Sequence, residues 1–183
     1  MLDPAWAVGT LGLGGCLLLV HMYVAPLKRF MQALWAAGAA GSLALAATQH
    51  GDSVAAAVFA HRPFVWAVGP LFAAFTGLCF KEGACYGKPE SFALCLVWPT
   101  LLLGHLCGAP TQAEAPLLGA AAVLLTLFAA RKYTQPVRDD IGDKSVFAFM
   151  ELTPAAQEAA EAALAAREWG GRGAPSTAAE DEQ

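Results

Sequence analysis

Long apolar runs with almost no charge inside them dominate this chain. Lipid offers a backbone no hydrogen-bond partners, so a chain that enters it must be helical or form a closed barrel. A helix needs about 20 mostly apolar residues to cross, within a range of about 17–25. Five stretches meet that requirement. Residues 5–25 (Ala5 to Ala25) carry no charged side chain, and residues 30–48 carry the polar Gln32. Residues 64–80 follow Pro63, which suits a first helical turn. Residues 91–108 are interrupted by Pro99, and residues 115–130 end at Arg131 and Lys132. A sixth apolar run, 53–60, is too short to span. It predicts a short helix at the interface or tucked back into the bundle.

Composition agrees with a membrane chain. Hydrophobic residues make up 57% and charged residues 14%, against about 45–50% and about 25% for an ordinary soluble domain. The 183 residues suffice for one domain. A disordered chain, a disulfide scaffold and a nucleic-acid binder are excluded, the last because it needs a basic surface. The net charge of -4 arises in the last third: residues 1–130 hold five basic and five acidic side chains, residues 131–183 six and ten. The five cysteines form no CxxC pair, so they read as free, small, buried hydrophobes.

Lysine and arginine in short loops set orientation. Lys28 and Arg29 follow the first span, Arg62 precedes the third, and Lys81 and Lys88 follow the third. Arg131, Lys132, Arg138 and Lys144 follow the fifth. Alternate segments total eight against one, which predicts the N-terminus outside and the C-terminus cytoplasmic, or stromal in a plastid. Asp3 is the one charge before the first run, so the run reads as a retained helix rather than a signal peptide. No transit peptide is legible.

The predicted fold is all-α: a polytopic bundle of about five transmembrane helices over 1–130, then a basic and aromatic juxtamembrane segment over 131–150. A soluble helix over 151–170 follows, opened by Thr153-Pro154 and stopped by Gly170-Gly171, with a disordered tail over 171–183. Small residues recur every four positions at Ala33, Ala37 and Gly41 and at Gly69, Ala73 and Gly77. Such stripes let membrane helices approach closely, within this bundle or against a partner.

Ionisable groups inside spans are the first place to look for function. His21 and His105 lie near opposite ends of spans, so they fit hydrogen-bonded structural roles or single pigment ligation, and they do not sandwich one haem. The predicted topology places His50, Asp52, His61 and His105 on one outer face, a donor set that suits zinc or another transition metal, although the spacing matches no ligand motif. The segment KEGACYGKPE is the densest polar stretch. It reads as a solvated turn with local ion pairs, or as a docking or gating loop in which Glu82 handles protons and Cys79 and Cys85 form a redox pair. No Walker loop, nucleophile elbow, HExxH or serine-histidine-acid set is legible.

The stretch AVGPLFAAFTGLCFKEGACYGKPESFAL, the following LLLGHL and the later DDIGDKSVF resemble a family of uncharacterised integral membrane proteins of cyanobacteria and plastids, defined as a domain of unknown function. The resemblance covers roughly residues 5–150, most closely 66–150. It carries over to Phe80, Lys81, Glu82, Cys85, Glu90, Gly104, His105, Asp139, Asp140, Gly142, Asp143 and Lys144. Cys85-Tyr86-Gly87 is a variant of a more aromatic version there. The resemblance implies the membrane of an oxygenic phototroph, thylakoid or envelope in a plastid, and brings no activity with it.

The expected function is a non-catalytic accessory or assembly factor of a photosynthetic membrane. Its partners would be the bilayer, other membrane subunits or a second copy, with no nucleic acid. The sequence requires no cofactor. The competing readings are a small-solute or ion transporter using helices broken at Pro70 and Pro99, and a metal- or pigment-binding protein.

Overall fold

The computed structural model describes residues 3–49, 53–135 and 145–172, and every regular element among them is helical. In chain order these are α1 (Pro4–Leu19), α2 (Ala25–Thr48), α3 (Val54–Ala60), α4 (Val65–Tyr86), α5 (Pro89–Cys107), α6 (Thr111–Thr134), α7 (Ser145–Met150) and α8 (Pro154–Arg172). A 3-10 turn, Arg62–Phe64, leads into α4.

Four helical segments are long and apolar enough to cross a bilayer: α2, α4 with its leading turn, α5 and α6. The first apolar run corrects the expectation of a span from 5 to 25, because its helix stops at Leu19 after 16 residues. At 1.5 Å per residue it is about 24 Å long, short of a hydrocarbon core of about 30 Å. Its start is set by Asp3, whose side chain accepts from the Ala5 N–H, and by Pro4 in the first turn. Its end is set by α2. Lys28 Nζ donates to the carbonyls of Leu18 and Val20, both at 2.9 Å, and Gln32 Nε2 donates to the Leu17 carbonyl at 3.2 Å. These groups satisfy carbonyls that a helix end leaves without partners.

The other helices are longer than their apolar cores. α2 begins at Ala25 instead of 30, so Lys28 and Arg29 are helical. α4 continues past Phe80 to Tyr86, α6 covers 111–134 rather than 115–130, and α8 runs through Gly170-Gly171 to Arg172. The short run at 53–60 is helical as expected, capped by Ser53 Oγ on the Ala56 N–H. α4 and α5 pass through Pro70 and Pro99 as single helices, so neither proline divides its helix into two.

The bundle is built on the α2–α4 pair, with α5 against α4, α6 against α5 and α1 against α2. Glycine decides the α2–α4 approach. A Cβ on Gly38 would lie 2.8 Å from Leu71 Cα, and one on Gly41 would lie 2.8 Å from the Ala67 carbonyl carbon. The buried face of α2 is Met31, Gly38, Ser42 and Leu45, while Ala33 and Ala37 are exposed. On α4 the buried line is Val65, Val68, Leu71, Ala74 and Leu78. Gly77 meets Met31 of α2, Ala73 is exposed, and Gly69 faces nothing nearer than Val65 of its own helix. The contact line thus takes in Gly41 and Gly77 of the four-residue stripes and leaves Ala33, Ala37 and Ala73 off it.

A chain of aromatic contacts crosses the bundle. Trp6 meets Phe72 edge-on at 6.0 Å, Phe72 tilts on Trp98 at 4.8 Å, and Phe75 meets both Trp98 and Phe128 edge-on. Residues 141–183 form a separate compact unit, in which α7 and α8 are described. The expected disordered tail beyond 172 lies outside the described residues.

Candidate functional site

Buried polar groups gather at the two ends of α4, α5 and α6. At the first end α4 stops at Gly87, whose φ of +60° is a left-handed conformation that favours glycine. Only Lys88 then separates it from Pro89 in the first turn of α5. This tight return folds Lys88 back onto the last turns of α4, and the C-terminal end of α6 arrives beside it.

Three lysines from these elements converge on one carboxylate. Glu82 Oε1 accepts from Lys81 Nζ at 3.1 Å. Its Oε2 accepts from Lys88 Nζ at 2.9 Å and Lys132 Nζ at 2.8 Å. Lys88 also donates to Gln135 Oε1, and Lys81 donates to the Tyr86 hydroxyl at 3.2 Å. The Tyr86 ring lies beneath all three ammoniums, at 4.6, 5.0 and 5.7 Å from its centroid, a favourable cation–π arrangement. Glu82 is 2% exposed and Lys88 4%. The segment is therefore the end of a helix with a buried ion cluster, not a solvated turn. A charge leaves water only at high cost unless it is paired and hydrogen-bonded, and here the pairing joins three helices. Both carboxylate oxygens hold ammonium donors, which suits a fastening group better than a proton carrier.

Beside this cluster, Arg131 Nη1 donates to Glu90 Oε2 at 2.9 Å. Glu90 is buried in the first turn of α5, where the helix dipole favours a carboxylate. The Arg131 side chain is 44% exposed, so water screens this pair more than it does the Glu82 cluster.

At the opposite end His105, in the last turn of α5, uses both ring nitrogens. Nδ1 lies 3.0 Å from Glu114 Oε1 of α6, and Nε2 lies 3.1 Å from the Val58 carbonyl of α3. A carbonyl only accepts, so Nε2 carries a proton. The ring also stacks on Phe59 at 5.7 Å. His105 thus ties α3, α5 and α6 together, and a metal or pigment could take a ring nitrogen only by displacing one of these partners. Removing it with His105→Leu is expected to lower stability by about 1–3 kcal/mol, the cost of leaving Glu114 and the Val58 carbonyl without a partner. Thermal unfolding in detergent measures this directly.

His61 and His105 border a common pocket of about 460 Å³ with Arg62 and Glu114. His50 and Asp52, the other two members of the expected metal set, lie outside the described residues, as do Asp139, Asp140, Gly142, Asp143 and Lys144. Among the described residues no three His, Cys, Asp or Glu side chains form a metal-sized group. Phe80 is exposed and edge-on to Phe92 at 6.2 Å. Cys79 is buried and Cys85 exposed, six positions apart on the continuous α4. Their separation along the axis is about 9 Å, beyond disulfide reach without unwinding the helix. The Cys79–Cys85 redox pair is thereby corrected: the extended helix prevents the turn it needed.

Sequence reasoning singled out Lys81, Glu82, Glu90 and His105 but not Glu114, Arg131 or Lys132 as their partners. Each partner comes from α6, at separations of 9, 41 and 50 residues that no motif encodes. A usable signal was the lone acid Glu114 at the start of an otherwise apolar run, since a membrane helix seldom keeps an unpaired charge.

Residues 16–149 match the profile of a family described as an uncharacterised integral membrane protein, DUF2301. No curated protein and no solved structure matches the chain.

Proposed function

The chain belongs to this family of multi-pass integral membrane proteins, and from that premise we propose that it is a non-catalytic accessory or assembly factor of a photosynthetic membrane, in a plastid or a cyanobacterium. The photosynthetic setting rests on the resemblance read from the sequence. The docking role rests on one observation: among the described residues, glycines on the outer helices face no neighbouring helix or side chain. A Cβ on Gly9, Gly12 or Gly15 of α1, or on Gly119 of α6, would find no atom of the described residues within 4 Å apart from its own helix backbone. A helical glycine costs up to about 1 kcal/mol relative to alanine, and lipid returns none of it. Membrane helices use small residues where another helix approaches closely. Gly14, on the other face of α1, shows such use, since its missing Cβ makes room for the Trp35 ring of α2.

In this reading the basic end of the bundle, with Lys28, Lys81, Lys88, Arg131 and Lys132, faces the cytoplasm or stroma. Wild-type protein is expected to co-migrate on a native gel with subunits of a photosystem or another large complex, identified by mass spectrometry. Gly12→Leu should lose that company while leaving the unfolding midpoint within a few degrees. A lone wild-type band at one to four times 19.0 kDa overturns the reading. The transport alternative draws on Pro70 and Pro99, which border one cavity of about 340 Å³ between α4 and α5. A solute-dependent growth phenotype that requires Pro70 and Pro99 at an unchanged protein level would favour it.

A further inference from the structure

Between α1, α4 and α6, at the basic end of the bundle, lies a cleft of about 550 Å³. Its size is that of a small-molecule site. It exists because α1 packs mainly on α2 and α6 mainly on α5, so the two flank α4 without closing over it. One side is polar, formed by Lys81, Glu82 and Lys132. The rest is an apolar wall that includes Leu19, Val20, Leu78, Leu125 and Phe128. Tyr133 stands at the rim, 92% exposed, a residue type that settles at the level of lipid headgroups.

We infer that this cleft holds one anionic lipid, its phosphate at Lys81 and Lys132 and its upper acyl chain along the apolar wall.

Three features select this occupant. Lys81 and Lys132 line the polar side around the carboxylate of Glu82, so that side presents ammonium donors to an anion. Lys81 donates to Glu82 and to the Tyr86 hydroxyl, and its ammonium has a third N–H to offer. Basic pockets between membrane helices on the cytoplasmic side suit anionic headgroups. A free phosphate would satisfy the lysines but leave the apolar wall uncovered, whereas a lipid covers both and reaches the cleft from the bilayer. The site is independent of any protein partner.

The test reconstitutes the full chain in nanodiscs of phosphatidylcholine with a minor share of phosphatidylglycerol. Retained lipid is then counted by native mass spectrometry after transfer to detergent. One phosphatidylglycerol should remain in clear preference to phosphatidylcholine. Lys81→Gln and Lys132→Gln should each lower its retention about fivefold, the usual weight of one basic residue at an anionic surface. Lys81→Arg keeps the charge and should keep the lipid, which separates loss of binding from loss of fold. Leu125→Trp fills the apolar end, leaves every lysine in place, and should also reduce retention. Equal retention of the two lipids overturns the proposal, as does loss with Lys81→Arg equal to that with Lys81→Gln. Inorganic phosphate raising the unfolding midpoint as much as phosphatidylglycerol does, with Leu125→Trp making no difference, assigns the site to a free anion and overturns the lipid.

Discussion

Glu82→Gln is expected to destabilise the protein by about 3–5 kcal/mol, the loss that follows when one partner of a buried ion cluster is removed. Glutamine keeps the shape of glutamate, so packing is conserved and the charge alone is lost. Lys81, Lys88 and Lys132 would then confront each other around a neutral amide, with Lys88 almost fully buried. For a chain of this length the fall in midpoint should be about 10 °C or more. The buried thiol of Cys79 offers a readout in detergent, because it reacts with a thiol dye only as the bundle opens. Pairing Glu82→Gln with Lys88→Met should recover part of the loss, since removing a buried pair together is far milder than breaking it. No recovery would mean that the cluster is not the source of the effect. Glu90→Gln is a useful contrast: it has one partner, Arg131, which is partly exposed, so the change should be smaller.

Gly41→Leu should separate α2 from α4 and cost about 3 kcal/mol or more, at the upper end for overpacking. Even a Cβ at this position meets the Ala67 backbone, which cannot rotate aside as a side chain can. Gly38→Leu faces the Leu71 backbone in the same way, and the double variant should fail to assemble. Ala33→Leu and Ala37→Leu lie on the exposed side of α2 and should leave the midpoint nearly unchanged. Size-exclusion profiles and thermal midpoints of the four single variants test the seam. Equal sensitivity at 33 and 41 would place the contact on the four-residue stripe instead.

That contrast shows where sequence reading stops. A repeat of four residues drifts about 40° per step around a helix of 3.6 residues per turn. Ala33 and Ala37 therefore lie off the line of contact, and the observed seam joins Gly41 to Gly38 and Ser42. The helix ends were misplaced for a related reason. Hydropathy locates the apolar core of a span, yet α4 and α6 continue through Lys81, Glu82, Arg131 and Lys132 because those charges meet one another. A charged residue looks like a loop until its partner is known.

The all-helical membrane class, the order of the apolar segments, the short helix over 53–60 and the family resemblance are all legible in the linear chain. Each follows from local composition: lipid demands satisfied backbones and apolar side chains, and both are written consecutively along the chain. Helix packing is what gathers three lysines on Glu82, sets His105 between Glu114 and the Val58 carbonyl, and opens a cleft with a basic end between α1, α4 and α6. These depend on the return at Gly87 and on the position of α6 beside α5. Contacts between residues up to 50 positions apart are settled by packing in three dimensions, and no local pattern records them.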